Sequence, residues 1–197
     1  MTNNNRTHLI FNGNVIDIEA SGLGSNSYPI EIGIVLNNGK TYETLIAPSS
    51  HWTHWDDDAE KLHGITRHQL LRQGKPAKLV CLELNNLCYG KRLYSDCWVY
   101  DSAWLNTLYG QAGIAMTFSC TPIESILSEE QLKSWPSFKK DYIQHSGITP
   151  HRALNDAVII SEILERCAMS DNDEVYNPNG GKKSAGVKQG SVKQRVA

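Results

Sequence analysis

The dipeptide Asn38-Gly39 is the sequence feature that most constrains the fold, because it lies between two apolar runs, 30–35 and 42–46. Asn-Gly between two such runs is the strongest short-range signal of a β-hairpin. A third run, 15–19, alternates with the period of two that a β-strand shows. The sequence therefore predicts that three strands, joined as a meander, begin the fold.

Helices and strands are predicted to alternate after this meander. Pro76 and Gly90 are well suited to bound a helix, and we expect Leu79, Leu82 and Leu87 to form its apolar side. The other predicted elements are a loop with a short helix (51–64), a strand (93–94), a helix (101–109), a strand (116–119) and a last helix (151–167). Strands followed by mixed helices and strands predict an α/β or α+β domain.

Pro136 is expected to divide a further helix. Ser128 and Gln131 have the spacing of a capping box, which marks the start of a helix. Because proline lacks the amide hydrogen that a helix interior requires, we expect this helix to stop at Pro136 and another to end near Gly147.

The composition limits the class of protein. The 197 residues fit one domain plus a tail, and 40% of them are apolar, which is enough for a core. We expect 1–8 to be a loose leader, 9–169 to be the domain, and 170–197, which is polar and basic, to be a disordered tail. The formal net charge of −2 gives no general attraction for nucleic acid, so phosphate binding would need a local device such as a metal ion.

The same composition bears on the compartment. The five cysteines form no Cys-x-x-Cys pair, which indicates reduced thiols in a cytoplasmic protein. The segment 1–7 lacks the apolar stretch of a signal peptide. No apolar run approaches the roughly 20 residues that span a bilayer, so a membrane is not an expected partner.

Asp17 and Glu19 are the first candidate site residues. Side chains two apart on a strand share one face, and two carboxylates on one face repel each other and are costly to bury. A hard divalent cation with oxygen ligands is the natural compensation. An edge strand with a polar face is the simpler interpretation of Asp-x-Glu by itself, although Val15, Ile16 and Ile18 indicate a central strand.

A glycine-rich segment, Ser21-Gly22-Leu23-Gly24, follows this strand and lets the backbone approach a ligand closely. A dinucleotide-binding site would need a third glycine, where Ser27 stands, and a helix directly after the loop, where a strand is predicted. The sequence therefore argues against a Rossmann-type cofactor site.

His151 and Asp156 lie five residues apart, a spacing that on one helix turns the side chains about 140° away from alignment. They can face one site only if His151 lies in the turn before the helix and Asp156 lies inside it. Taken alone, the stretch is better explained by a terminal histidine and a solvated aspartate, and Asp101 by a helix N-cap.

Three segments of the chain form an ordered set: Asp17-Ile18-Glu19, Tyr100-Asp101-x-x-Trp104-Leu105 and His151-x-Ala-x-x-Asp156-Ala. In order and spacing they resemble the motifs of the DEDDh superfamily of 3′-to-5′ exonucleases, which includes RNase T, oligoribonuclease and the proofreading subunit of DNA polymerase III. The resemblance covers roughly residues 14–166, and the segments 30–33 and 62–66 agree with it.

The resemblance implies a fold and an activity. The fold is an α/β ribonuclease H-like domain with a mixed five-stranded sheet, an antiparallel second strand and flanking helices. The activity is metal-dependent hydrolysis of phosphodiester bonds at the 3′ end of single-stranded nucleic acid, RNA or DNA, with release of nucleoside 5′-monophosphates. A homodimer, which some relatives form, is left open.

The resemblance also assigns roles to residues. Two Mg²⁺ or Mn²⁺ ions would be held by Asp17, Glu19 and Asp156, with Asp101 assisting through water. His151 would be the general base. The implied substrate contacts are Ser21, Gly22, Leu23, His63 and Trp104.

The chain departs from the superfamily at Cys97, where relatives often carry an asparagine four residues before the mid-chain aspartate. Asp96 is therefore a second candidate for the third carboxylate. Trp104-Leu105 completes the helix pattern that begins at Asp101, so Asp101 is the preferred candidate.

Two other classes of function stay open. One is a catalytically silent nucleic-acid-binding module with the same fold, and the other is a metal-independent α/β binding protein. The aromatic pair Trp52 and Trp55 does not discriminate between them, because these side chains either stack on bases or pack under a loop.

Overall fold

The computed structural model describes residues 12–170. The predicted leader, 1–8, and all but the first residue of the predicted tail, 170–197, lie outside the described residues. The strands are β1 (Asn14–Ala20), β2 (Pro29–Val35), β3 (Thr41–Leu45), β4 (Arg92–Ser95) and β5 (Ser119–Pro122). They form one five-stranded sheet in the order β3-β2-β1-β4-β5.

The sheet is mixed. β2 pairs antiparallel with β1 and β3, whereas β4 pairs parallel with β1 and β5. At the hairpin between β2 and β3 the Leu36 amide donates to the Lys40 carbonyl over 2.8 Å. Gly39 in this turn has a φ of 79°, a left-handed conformation that glycine adopts without strain. The predicted meander and the antiparallel second strand are confirmed.

Six α-helices accompany the sheet in the described part of the chain. They are α1 (Asp57–His63), α2 (Arg67–Gln73), α3 (Ala77–Cys88), α4 (Trp98–Ala112), α5 (Glu129–Ser146) and α6 (Ala153–Ser170). None of these helices is long and apolar enough to cross a membrane.

β1 separates two apolar cores. Ile16 and Ile18 are buried among side chains of α3 and α4, whereas Val15 is buried among side chains of α5 and α6. Because successive side chains of a strand alternate between its faces, Asp17 and Glu19 share the α6 side of the sheet with Val15.

Gly33 on β2 allows α6 to approach the sheet at this point. Gly33 is the register partner of Asp17, and a Cβ atom on it would lie 2.1 Å from the carbonyl carbon of Ala153. Only a residue without a side chain permits so close an approach. The start of α6 therefore lies beside the carboxylates of β1.

The apolar side of α3 differs from the prediction, which was wrong for Leu79 and Leu82. These two leucines are 45% and 52% exposed. The buried side chains of α3 are instead Val80, Cys81, Leu84 and Cys88. The spacing of these four residues places them on one face of the helix. Cysteine is among the most buried residue types, so two cysteines fill core positions that the prediction gave to leucines.

Pro136 lies within one continuous helix, so the predicted break in α5 is wrong. The capping box is confirmed: the Gln131 amide donates to Ser128 Oγ, and the Ser128 amide donates to the Gln131 side chain. The locked φ of proline is itself helical, so its cost is one lost hydrogen bond and a local clash. Burial of the adjacent Trp135 in the core beside α6 offsets that cost.

Other element boundaries differ by a few residues. β5 lies at 119–122 because its pairing with β4 begins at the Arg92–Ser119 pair. α4 begins at Trp98, three residues earlier than predicted. The short helix α2 was not predicted, and Thr66 caps its start by accepting the Gln69 amide over 3.1 Å.

Candidate active site

Two half-buried carboxylates on β1, Asp17 and Glu19, form the floor of the candidate site. Both face the side of the sheet that α6 covers. Burial and the neighbouring carboxylates of Asp101 and Asp156 hold the pKa of Asp17 well above its usual value. Burial raises the pKa of Glu19 to about 7, and the nearby Asp156 carboxylate is the second largest cause of this increase. These two carboxylates therefore bind protons near neutral pH more readily than ordinary carboxylates do.

His151 and Asp156 meet this floor from the start of α6. His151 lies in the turn before the helix with a φ of 66°, and its backbone amide donates to Asp156 Oδ2 over 2.6 Å. Ligand atoms of Glu19, His151 and Asp156 all lie within 4.8 Å of one another. This is the arrangement that the five-residue spacing requires for a shared site.

Asp101 completes the carboxylate set from the first turn of α4. Its side chain is buried, and its Oδ2 accepts a hydrogen bond from Ser95 at the end of β4. Asp101 is not a helix N-cap, because that position belongs to Cys97, which makes no side-chain capping bond. Its other oxygen, Oδ1, is buried and has no hydrogen-bond partner among the described residues.

These four carboxylates, Asp17, Glu19, Asp101 and Asp156, are called the acidic cluster below. Buried carboxylates are usually paired or bound to a metal, and oxygen donors are the ligands that Mg²⁺ and Mn²⁺ prefer. The unsatisfied Asp101 oxygen and the raised pKa values both indicate that added positive charge would stabilise the ionised carboxylates. The residues present therefore fit a hard divalent cation.

A buried ion pair, which the sequence analysis missed, anchors the His151 turn. Glu31 on β2 is fully buried and accepts hydrogen bonds from Arg152 Nε at 3.0 and 3.1 Å and Nη2 at 2.5 Å. It also accepts the Ala153 amide over 2.9 Å, so it caps the start of α6. The signal available in the sequence was a single charge inside the apolar run Ile30-Glu31-Ile32.

A second ion pair that the sequence analysis missed lies beside the acidic cluster. Lys139 of α5 donates to Asp96 Oδ2 over 2.6 Å, and Trp135 Nε1 donates to the same oxygen over 3.3 Å. Asp96, the second candidate for the third carboxylate, thus has a cationic partner, whereas Asp101 forms no ion pair within residues 12–170. No local pattern joins positions 96 and 139, because they lie 43 residues apart.

The loop after β1 carries three of the proposed substrate contacts. Ser21 is buried, accepts the Tyr28 amide over 3.2 Å and lies 3.3 Å from His54 Nδ1. Gly22 has a φ of 141°, and a Cβ on it would lie 2.7 Å from both His54 Cε1 and Asp56 Cβ. Leu23 is 68% exposed, so it is not a core leucine and is available to a ligand.

The other two proposed contacts, His63 and Trp104, lie inside the domain. His63 is buried, with Nδ1 accepting the Ile65 amide over 3.0 Å. Trp104 Nε1 donates to Ser27 Oγ over 2.8 Å and so supports the loop after β1. Their positions favour a supporting role over direct contact with substrate.

Trp52 and Trp55 are both half-buried, and each side chain contacts another group of the protein. Trp52 stacks on Tyr28 with ring centroids 5.0 Å apart. Trp55 Nε1 donates to Glu60 over 2.6 Å. These contacts favour packing under the loop over stacking on bases.

No protein-family model and no curated protein matches the sequence. Solved structures do match the fold. E. coli Exonuclease I in complex with a 5cy-dT13 oligonucleotide aligns with a TM-score of 0.62 and 11% identity over 82% of this chain and 40% of that one. The chain has a ribonuclease H-like fold.

Two further matches agree with the first. Exonuclease I from Methylocaldum szegediense aligns with a TM-score of 0.61 and 10% identity over 82% of this chain and 40% of that one. The zinc-bound complex of E. coli Exonuclease I with single-stranded DNA has a TM-score of 0.61 and 11% identity over 81% and 40%. The chain spans about two fifths of the length of these proteins. Nothing in these matches supports a homodimer.

Proposed function

We propose that the chain is a metal-dependent 3′-to-5′ exonuclease that acts on single-stranded nucleic acid and releases nucleoside 5′-monophosphates. The observation that carries the proposal is the convergence of the acidic cluster with His151, in which a buried Asp101 oxygen has no partner among the described residues. The binding of single-stranded oligonucleotides by the matched Exonuclease I structures supports the class of substrate.

In this mechanism Asp17, Glu19 and Asp156 would hold two Mg²⁺ or Mn²⁺ ions, and Asp101 would assist. When bound, such ions stabilise negative charge on the attacking and leaving oxygens of the phosphodiester. His151 accepts a proton from the attacking water at an imidazole nitrogen as the water oxygen bonds to phosphorus. The 3′-oxygen of the preceding nucleotide leaves with the bonding electron pair and takes a proton from solvent water, and His151 returns its proton to the solvent. The Asp156 carboxylate keeps His151 in position by accepting a hydrogen bond from the His151 backbone amide.

Cation binding to the acidic cluster should tighten as the pH rises from 6 to 8. Because the pKa of Glu19 is raised to about 7, this carboxylate is largely protonated at pH 6, and a cation must displace the proton. Isothermal titration with Mn²⁺ should therefore show both stronger binding and proton release across this range. Glu19→Gln should weaken Mn²⁺ binding by at least about 10-fold.

Glu129→Gln is the matched control, since the Glu129 side chain is 90% exposed on α5. It should bind Mn²⁺ as the unmodified chain does. Equal Mn²⁺ affinity in the Glu19→Gln variant, or an affinity that does not change with pH, would show that the acidic cluster is not a cation site.

A further inference from the structure

We propose that Lys139 binds a phosphate of the nucleic-acid substrate beside the acidic cluster. The inference rests on the proposed function, because it takes the acidic cluster as the place of hydrolysis. Lys139 projects from α5, a helix that contributes none of the residues assigned above to cation binding or proton transfer. It therefore adds a fourth structural element to those that form the site, β1, α4 and the start of α6.

The hydrogen bonding of Lys139 leaves donors available. An ammonium group has three N–H donors, and Asp96 Oδ2 is the one acceptor for Lys139 within residues 12–170. The Lys139 side chain is 28% exposed, whereas that of Asp96 is 6% exposed. Asp96, which also accepts a hydrogen bond from Trp135, thus holds the ammonium group through one donor, and the partly exposed Lys139 side chain keeps its other donors for a ligand.

The charge of Lys139 acts on the acidic cluster itself. It opposes the burial that raises the pKa of Glu19, Asp101 and Asp156. Burial alone would lower the pKa of Lys139, but the Asp96 carboxylate raises it, and Asp17 and Asp156 add to that effect. Asp96, the acceptor for Lys139, directly follows Ser95, whose hydroxyl donates to Asp101. The ammonium group therefore stays charged and lies next to the acidic cluster.

A local cation is what this chain needs for phosphate binding. Its formal net charge is −2, so the protein as a whole does not attract a polyanion. Four carboxylates add negative charge where the substrate must enter, and cations held by them serve the reacting oxygens. A lysine with open donors supplies charge-assisted hydrogen bonds to a non-bridging phosphate oxygen without occupying a cation position.

The test separates a phosphate contact from a purely structural role in holding Asp96. Binding of a fluorescein-labelled dT13 oligonucleotide would be measured by anisotropy in Ca²⁺, a cation that takes oxygen ligands. Lys139→Met should weaken this binding by about 10- to 100-fold, the size expected for a charge-assisted hydrogen bond. Mn²⁺ affinity should stay equal or rise, because a positive charge near the cations is removed. Lys140→Met, an exposed neighbour on α5, should change neither quantity.

Three more variants keep the proposal open to refutation. Lys139→Met leaves the buried Asp96 carboxylate without its cationic partner and is expected to lose stability. The double variant Asp96→Asn/Lys139→Met therefore removes both charges. Asp96→Asn alone keeps the ammonium group and should bind the oligonucleotide within about threefold of the unmodified chain, whereas the double variant should bind as weakly as Lys139→Met. Lys139→Arg should recover part of the affinity. Asp96→Asn binding as weakly as Lys139→Met would overturn the proposal and leave Lys139 a structural role.

The outcome is distinguishable from failure of the proposed function. If the unmodified chain binds the oligonucleotide through Lys139 but never shortens it, the exonuclease proposal fails and the phosphate contact stands. If the unmodified chain shortens the oligonucleotide and Lys139→Met does so with unchanged KM and kcat, the phosphate contact fails and the exonuclease proposal stands.

Discussion

Replacing His151 with alanine should lower the turnover number by about 10²- to 10⁴-fold, the usual contribution of a general base, while Mn²⁺ affinity stays nearly intact. His151 stands in the turn before α6 with its amide held by Asp156. Hard divalent cations prefer the oxygens of the acidic cluster to imidazole. The variant therefore loses a proton acceptor and keeps its cation ligands.

Two comparisons sharpen this prediction. His145→Ala removes a histidine that is 72% exposed near the end of α5, and it should turn over normally. Asp156→Ala should lose both turnover and Mn²⁺ affinity, because Asp156 belongs to the acidic cluster and also holds His151. Near-normal turnover by His151→Ala would mean that another group takes the proton, and a large loss of Mn²⁺ affinity would make His151 a cation ligand instead.

Replacing Arg152 with methionine should destabilise the protein by about 3 kcal/mol. The change leaves the fully buried Glu31 carboxylate without its cationic partner. This loss of stability is at the low end of the range for a broken buried ion pair. Glu31 still accepts the hydrogen bond from the Ala153 amide, and the Arg152 side chain is 38% exposed. Urea unfolding at neutral pH measures the effect.

The double variant Glu31→Gln/Arg152→Met should recover most of the lost stability, since removing both charges of a buried pair is often nearly neutral. Arg166→Met is the control on the same helix. Arg166 is exposed and lies over the Tyr142 ring, a contact worth about 0.5–1 kcal/mol. A loss below 1 kcal/mol in Arg152→Met would show that the pair does not anchor the start of α6.

Local sequence patterns predicted the parts of the site that local geometry determines. The alternation around Asp17 and Glu19 assigned both carboxylates to one face of β1. The spacing of His151 and Asp156 required the histidine to lie in the turn before the helix, which is where it lies. In each case the side chains concerned are neighbours in the chain, so strand or helix periodicity predicted their relative placement. The resemblance to the exonuclease motifs was still needed to select them as site residues.

Other parts of the fold and site depend on partners far apart in the chain. Glu31 and Arg152 are separated by 121 residues, and Asp96 and Lys139 by 43, so no periodicity relates them. Pro136 stays within α5 because the packing of Trp135 outweighs a local preference. Leu79 was assigned to the core by residue type alone, although the face of α3 that carries Val80 and Leu84 is the one that meets the core.

Digestion of 5′-labelled single-stranded DNA and RNA tests the central claim most directly. In Mg²⁺ the account predicts a ladder of labelled products that shorten progressively from the 3′ end, with nucleoside 5′-monophosphates released, and no products in EDTA. A circular single strand of the same sequence should stay intact, and Asp17→Asn should be inactive on every substrate. Efficient cleavage of the circle, undiminished digestion in EDTA, or oligonucleotide binding without any shortening would contradict the account.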